Sequence, residues 1–317
     1  MKILFLSSGY KGAYPYIEES LTKAFQQHSI TLCKKQCVST LDELRLKQHC
    51  IAEKPDMIFT LLGYQLHESF LQWSKDQHIR VVIWLTEDPY MSDLSLKVAP
   101  YASHVVTIEK KAHLYYESLG YKSLHLPLGA DYSIFKPMVP QPTKKSDLCF
   151  IGYPYPERVK LIKLLAKKLP ITITVAGNWY QHSLPKNVHK AALWLTPTQT
   201  AEYYSSTKIV LNSYRRLSQP ENKNERALEG ISPNNRVFEV AGCKVCQISE
   251  AREDWTSWFR EKDIALFSSG DELIEKVEHL LQAPDQRELY ATNSYQTAVA
   301  NHSYAHRVNT LLEWLTH

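Results

Sequence analysis

Strand-length apolar runs alternate along the chain with longer segments whose apolar residues recur at helical spacing, the pattern of parallel strands joined by crossover helices. In the first half this predicts a strand over Lys2–Leu6, a loop over Ser7–Tyr14, a helix from Pro15 through Phe25 and a strand at Ile30–Lys34. A helix over Thr40–Glu53 follows, then strands at Met57–Leu61, Val81–Leu85 and Val105–Ile108. A helix through Tyr116, ending near Gly120, and a strand at Leu124–Leu126 complete a first domain of residues 1–137. The stretch 137–146 is proline-rich, polar and without period, so it reads as a linker. The alternation then resumes, with strands at Leu148–Ile151, Ile171–Ala176, Lys208–Leu211 and Val245–Ile248. Helices are expected at Glu157–Lys168, Val237–Ala241 and Asp271–Leu281, within a second domain of residues 147–302. The last helical segment, Ser303–Leu315, is expected to cross back to the first domain as part of residues 303–317. The fold class is therefore α/β, two Rossmann-like domains facing each other across a cleft.

A length of 317 residues suits two domains that each bury a core. With 44% hydrophobic residues, 10 glycines and 16 prolines, collagen-like and low-complexity readings are excluded. A formal charge of +4 is too small to announce a nucleic-acid binder, although it suits an anionic small ligand. The first apolar run is shorter than a signal-peptide core, and no apolar stretch reaches the roughly 18 to 20 residues that span a bilayer, so no transmembrane segment and a cytoplasmic location are expected. The six cysteines read as reduced thiols. Cys243 and Cys246 have the spacing of half a zinc site, but no second such pair exists and their run reads as a strand, so no metal site is assigned.

In doubly wound sheets ligands bind beyond the carboxyl ends of the strands, and four loops in such places carry candidate chemistry. Gly9 and Gly12, after the first strand, let a backbone approach a bound group; their loop reads equally as acceptor-facing or as a plain turn, and it lacks the G-x-G-x-x-G of dinucleotide binders. Glu87 and Asp88 follow a strand and precede Pro89; one of them serves as general base toward an acceptor hydroxyl, or both cap the next turn. Gly152 and Tyr153 follow the strand at 148–151, with Gly152 placed to approach a phosphate and Arg158 to neutralise it. In the fourth loop Ser232 as N-cap and Pro233 at the first helical position predict a helix start, where free N–H groups and Arg236 form an anion-binding end. Glu239, one turn on, can accept hydrogen bonds from both hydroxyls of a ribose; the bland alternative is a surface pair with Arg236, worth a few tenths of a kcal/mol.

The run Asn235-Arg236-Val237-Phe238-Glu239-Val240-Ala241-Gly242-Cys243, followed by Phe267-Ser268-Ser269-Gly270-Asp271-Glu272-Leu273, resembles the C-terminal half of GT-B glycosyltransferases of the CgeB spore-maturation group. Glu87-Asp88-Pro89 and Leu126-Pro127-Leu128-Gly129-Ala130-Asp131 are similar to that group's first domain, so the resemblance spans nearly the whole chain. It implies a GT-B fold, an acceptor on the first domain and a nucleotide sugar, expected to be a UDP-sugar, held mainly by the second. The donor-binding residues it implies run through Asn235, Arg236, Val237, Phe238 and Glu239. The implied acceptor is a glycan or glycoprotein of the spore surface, and the implied setting is the cytoplasm of the mother cell. Glu239 matches the second glutamate of the E-x7-E motif of related retaining transferases, whereas Ile231 stands where the first would be and Lys244 replaces a glycine usual after the small-residue turn. No Asp-x-Asp pair is present, so metal-independent transfer without a further cofactor is expected. Loss of the first glutamate leaves a second reading open, a catalytically silent protein that binds nucleotide sugar or glycan during assembly of the spore outer layer.

Overall fold

The computed structural model describes residues 1–37, 43–139 and 142–316. Thr40, Leu41 and Asp42 of the expected second helix, and Pro140 and Gln141 of the expected linker, lie outside the described residues. The chain forms two compact units, the first made of Met1–Leu128, Pro220–Ser232 and the C-terminal segment from Tyr304, the second of Gly129–Gln219 and Pro233–Ser303.

In the first unit β1 (Lys2–Ser7), β2 (Thr31–Cys37), β3 (Met57–Leu61), β4 (Arg80–Leu85), β5 (His104–Thr107) and β6 (Ser123–His125) form one sheet in the order β2-β1-β3-β4-β5-β6. Every pair is parallel. The connections carry α1 (Tyr14–Gln26), α2 (Glu43–Glu53), α3 (Glu68–Asp76), α4 (Ser92–Val98) and α5 (Lys110–Ser118). Successive side chains leave a strand on opposite faces, so a sheet covered on both sides needs apolar residues at every position. Leu4, Leu6, Ile83 and Leu85 accordingly pack with Phe70 and Tyr116 on one face, while Ile3, Phe5, Val82 and Trp84 pack with Leu21 and Phe25 of α1 on the other. Tyr304, Val308, Leu311 and Leu315 of the C-terminal helix, spaced at helical period, complete that second cluster.

In the second unit β7 (Ser146–Ile151), β8 (Ile173–Ala176), β9 (Val188–Lys190), β10 (Thr207–Asn212), β11 (Gln247–Glu250) and β12 (Ala265–Phe267) form a sheet in the order β12-β11-β10-β7-β8-β9. It too is parallel throughout. Around it run α6 (Pro156–Lys168), α7 (Pro197–Ser205), α8 (Asn235–Gly242), α9 (Gly270–Gln282) and α10 (Pro284–Asn301), and the chain ends in α11 (Tyr304–Thr316). Strand order reverses between β1 and β3 in one sheet and between β7 and β10 in the other, and such reversals open the crevices in which doubly wound sheets bind ligands.

Two boundaries differ from the sequence reading. Residues 129–137 belong to the second unit, and residues 220–232, which lie between two stretches of the second unit, belong to the first. The cause of the second difference is local and strong. Glu109, buried at the N-cap of α5, accepts the backbone N–H groups of Ile231 (3.0 Å) and Ser232 (3.1 Å). A contact between residues so far apart in sequence leaves no mark on hydrophobic periodicity.

Candidate functional site

The crevice at the β7/β10 reversal is built around Asn212, the last residue of β10. Its buried amide donates to Ser249 Oγ of β11 (2.9 Å), which orients its oxygen to accept from Arg236 Nη1 (2.8 Å) and Asn234 Nδ2 (3.2 Å). One strand-end amide thus ties β11 to the first turn of α8. The Arg236 guanidinium also lies 5.3 Å from the centre of the Phe150 ring, and a Cβ added to Gly152 would fall 2.7 Å from its Nη2. Gly152 is itself pressed by Gly177, at φ +122°, where an added Cβ would meet the Gly152 carbonyl oxygen at 2.4 Å, so both positions depend on the missing side chain.

Four more guanidinium groups gather at this end of the sheet. Arg215 and Arg158 lie over the Tyr155 ring at 5.4 and 4.8 Å, Arg252 over Tyr214 at 4.0 Å, and Arg216 pairs with Glu250 at 2.5 Å. Arginine stacks on aromatic faces while keeping its planar donor edge for carboxylate or phosphate, and this arrangement leaves the end of the unit strongly cationic. Arg215, Arg216, Arg252 and Asn212 did not figure in the sequence reading.

Glu239 lies one turn into α8 and accepts from Asn235 Nδ2 (2.7 Å), while Arg236 turns away from it to Asn212. Burial raises the Glu239 carboxyl to about 7, opposed by the nearby Arg236 charge and the Asn235 bond.

The structure corrects several positions assigned from sequence. α8 begins at Asn235 with Asn234 as N-cap, not at Pro233 with Ser232. Ser232 belongs to the first unit, where its hydroxyl meets His125 Nε2 at 3.0 Å and the backbone N–H of Lys110 at 3.1 Å. Val237 and Phe238 are fully buried with Val240 and Ala241, so their side chains belong to the core that carries the helix. Arg158 is only 7% exposed and donates to the carbonyls of Tyr153 (3.0 Å) and Ser213 (3.0 Å), fastening the β7 loop to the end of β10. Tyr153, 52% exposed, stands on that same loop. The Ile231 side chain, which stands at the position of the first motif glutamate, is buried, and the Glu109 carboxylate accepts its backbone N–H.

In the first unit Gly9 and Gly12 follow β1 with φ of +77° and +76°, conformations that favour glycine. The buried Glu18 of α1 secures this loop by accepting from Ser8 N (2.7 Å) and Ser7 Oγ (2.8 Å). After β4 the two adjacent carboxylates take opposite roles. Asp88 is 2% exposed and accepts three hydroxyls, Ser95 Oγ on Oδ1 (2.6 Å) and Thr107 Oγ1 and Tyr116 OH on Oδ2 (2.7 and 2.8 Å). Burial raises its carboxyl to about 6 against those three bonds. The sequence left open which of the two carboxylates, if either, is the acceptor-side base; the Asp88 oxygens are enclosed and engaged. Glu87 is the half-buried one and accepts from Tyr14 OH (2.8 Å), whose phenol also meets Thr86 Oγ1 at 3.1 Å.

Two Rossmann-like units with these strand orders define the GT-B fold. The sucrose-phosphate synthase of Thermosynechococcus elongatus superposes with a TM-score of 0.72 at 11% identity, over 100% of this chain and 99% of that one. The Anabaena protein HepE, solved in complex with UDP and glucose, gives 0.68 at 14% identity, again over 100% and 99%. Residues 158–313 match the family of glycosyl transferase-like proteins. The spore protein CgeB of Bacillus subtilis (strain 168) is 32% identical over 308 residues, which cover 94% of both chains. The chain belongs to the CgeB family of GT-B glycosyltransferases. Among the described residues no helix is long and apolar enough to cross a membrane.

Proposed function

We propose that the protein transfers a sugar from a UDP-sugar to a glycan or glycoprotein acceptor of the spore surface. The observation that carries this reading is the convergence of Arg236, Arg215 and Arg252 with the first turn of α8 and Glu239 at the β7/β10 reversal. Cationic groups there stabilise the diphosphate that departs with the nucleoside, a task that needs no metal ion. Glu239 takes the ribose hydroxyls. On the first unit Glu87, oriented by Tyr14, serves the acceptor hydroxyl as general base, and Asp88 holds the loop. The UDP bound to HepE supports the donor, and the spore protein CgeB supports the acceptor.

The buried Ile231 at the place of the first motif glutamate favours one second reading, a protein that binds nucleotide sugar without turning it over. Release of UDP from UDP-glucose in the absence of acceptor separates the two: transfer chemistry gives slow release, a silent binder gives none.

Calorimetric titration of Arg236→Ala tests the site. Loss of a guanidinium bonded to phosphate removes about 1.5 to 3 kcal/mol, so UDP affinity should fall about ten- to hundredfold. Uridine, which lacks the diphosphate, should bind within about twofold of the parent, and EDTA should change neither value. Equal losses for UDP and uridine would remove Arg236 from the diphosphate subsite, and restoration of binding by Mn2+ after EDTA would end the metal-independent reading.

A further inference from the structure

The amino ends of β7, β10 and β11, opposite the nucleotide site on the same sheet, carry a pocket of about 380 Å³. Lys144, Lys208, Lys244 and Arg287 line it, with Asp285 and Glu288. The four cations come from four separate elements: the segment before β7, β10, the turn after α8, and the first turn of α10. Two meet carboxylates, Lys208 with Asp147 at 2.7 Å and Lys244 with Glu288 at 2.8 Å. The other two meet neutral oxygens, Lys144 Nζ donating to the Ser205 carbonyl at 2.7 Å and Arg287 Nη1 to the carbonyls of Leu280 and Leu281 at the end of α9. Four cations against Asp147, Asp285 and Glu288 leave positive charge in excess. Burial, together with the positive charge of Arg287, holds Lys144 below the ordinary lysine pKa.

Two further features belong to this pocket. The first turn of α10 opens into it, and the N-cap Ala283 has no side chain that bonds its free N–H groups. Lys244 is held at φ +54°, a region that favours glycine, so a lysine stands there against the backbone preference. Val245 and Cys246, both buried, also line the pocket, so its floor reaches the interior of the unit.

We propose that this pocket is a second ligand site, for a small phosphate-bearing anion, separate from the nucleotide site. A phosphate group has acceptor oxygens on all sides, which suits cations from four elements and the N–H groups of a helix start. This inference does not depend on the donor reading, and the Arg236→Ala background keeps the two apart. In that background, titration with sodium pyrophosphate should show saturable binding. Adding Lys144→Gln and Lys244→Gly should weaken it at least about tenfold. Glycine suits the backbone at 244, so the second substitution should leave the fold intact by circular dichroism. With Arg236 restored, the Lys144→Gln/Lys244→Gly protein should bind UDP as the parent does. Absence of pyrophosphate binding in the Arg236→Ala protein, equal binding after both lysine substitutions, or binding only to vesicles containing phosphatidic acid would each overturn the proposal.

Discussion

Glu239→Ala is expected to weaken UDP binding by about 2 to 4 kcal/mol, a loss of about thirty- to thousandfold, measured by calorimetry at pH 7.5. Its carboxylate accepts from Asn235, and in the proposed complex two ribose hydroxyls would add charge-assisted bonds of about 1.5 to 3 kcal/mol each, less what water returns. The titration of this group gives an independent check. Its folded pKa, about 7, stands above the unfolded value, so the native chain holds a proton that the unfolded chain has lost between about pH 4.5 and 7. The stability that this group contributes is therefore greatest below that window and falls as pH rises through it. Hydroxyl donors favour the ionised form and draw the pKa down, so UDP binding near pH 6.5 should release protons and affinity should rise toward pH 8. Calorimetry in two buffers of different ionisation enthalpy counts the protons. No proton release, with unchanged affinity in Glu239→Ala, would take Glu239 out of the ribose subsite.

Asp88→Ala is expected to cost about 3 to 5 kcal/mol of folding stability in chemical denaturation. It leaves the buried hydroxyls of Ser95, Thr107 and Tyr116 without their acceptor, and each such orphan costs about 1 to 3 kcal/mol before the site relaxes. Asp88→Asn should lose only about 1 kcal/mol, since its amide oxygen can serve Thr107 and Tyr116 while its NH2 donates to Ser95. The folded pKa of about 6 again lies above the unfolded value, so stability carried by this group also declines as pH rises from about 4 to 6. Glu87→Gln should instead leave stability within about 0.5 kcal/mol and lower turnover with UDP affinity unchanged. Full stability in Asp88→Ala would return that residue to the list of solvent-facing bases.

The sheets were legible because both are covered on two faces, which makes Ile3 to Leu6 and Val81 to Leu85 continuous apolar runs. Gly152, Arg236 and Glu239 were legible because they stand at a strand end and a helix start, places with sequence signatures. Arg215, Arg216 and Arg252 sit in irregular loops, and only the adjacency of β11, β10 and β7 brings them together. Ser232-Pro233 read as a helix cap because local spacing allows it, but Glu109 claims the preceding backbone and the helix starts two residues later. Val237 and Phe238 show the opposite lesson: with Val240 and Ala241 they form the apolar face of α8, which helical period alone assigns to the core. Asp88 and Glu87 differ only in which way a single turn points them, and composition says nothing about that.

The proposed site for a nucleoside diphosphate lies at the carboxyl ends of β7, β10 and β11 against the first turn of α8. Hydrogen–deuterium exchange with and without the nucleoside diphosphate that most raises the melting temperature, among UDP, GDP, ADP and dTDP, tests it most directly. Slowed exchange concentrated in residues 212–216 and 234–239 is the predicted result. Protection confined to residues 1–128, or a stabilising nucleotide that leaves 234–239 unchanged, would contradict it.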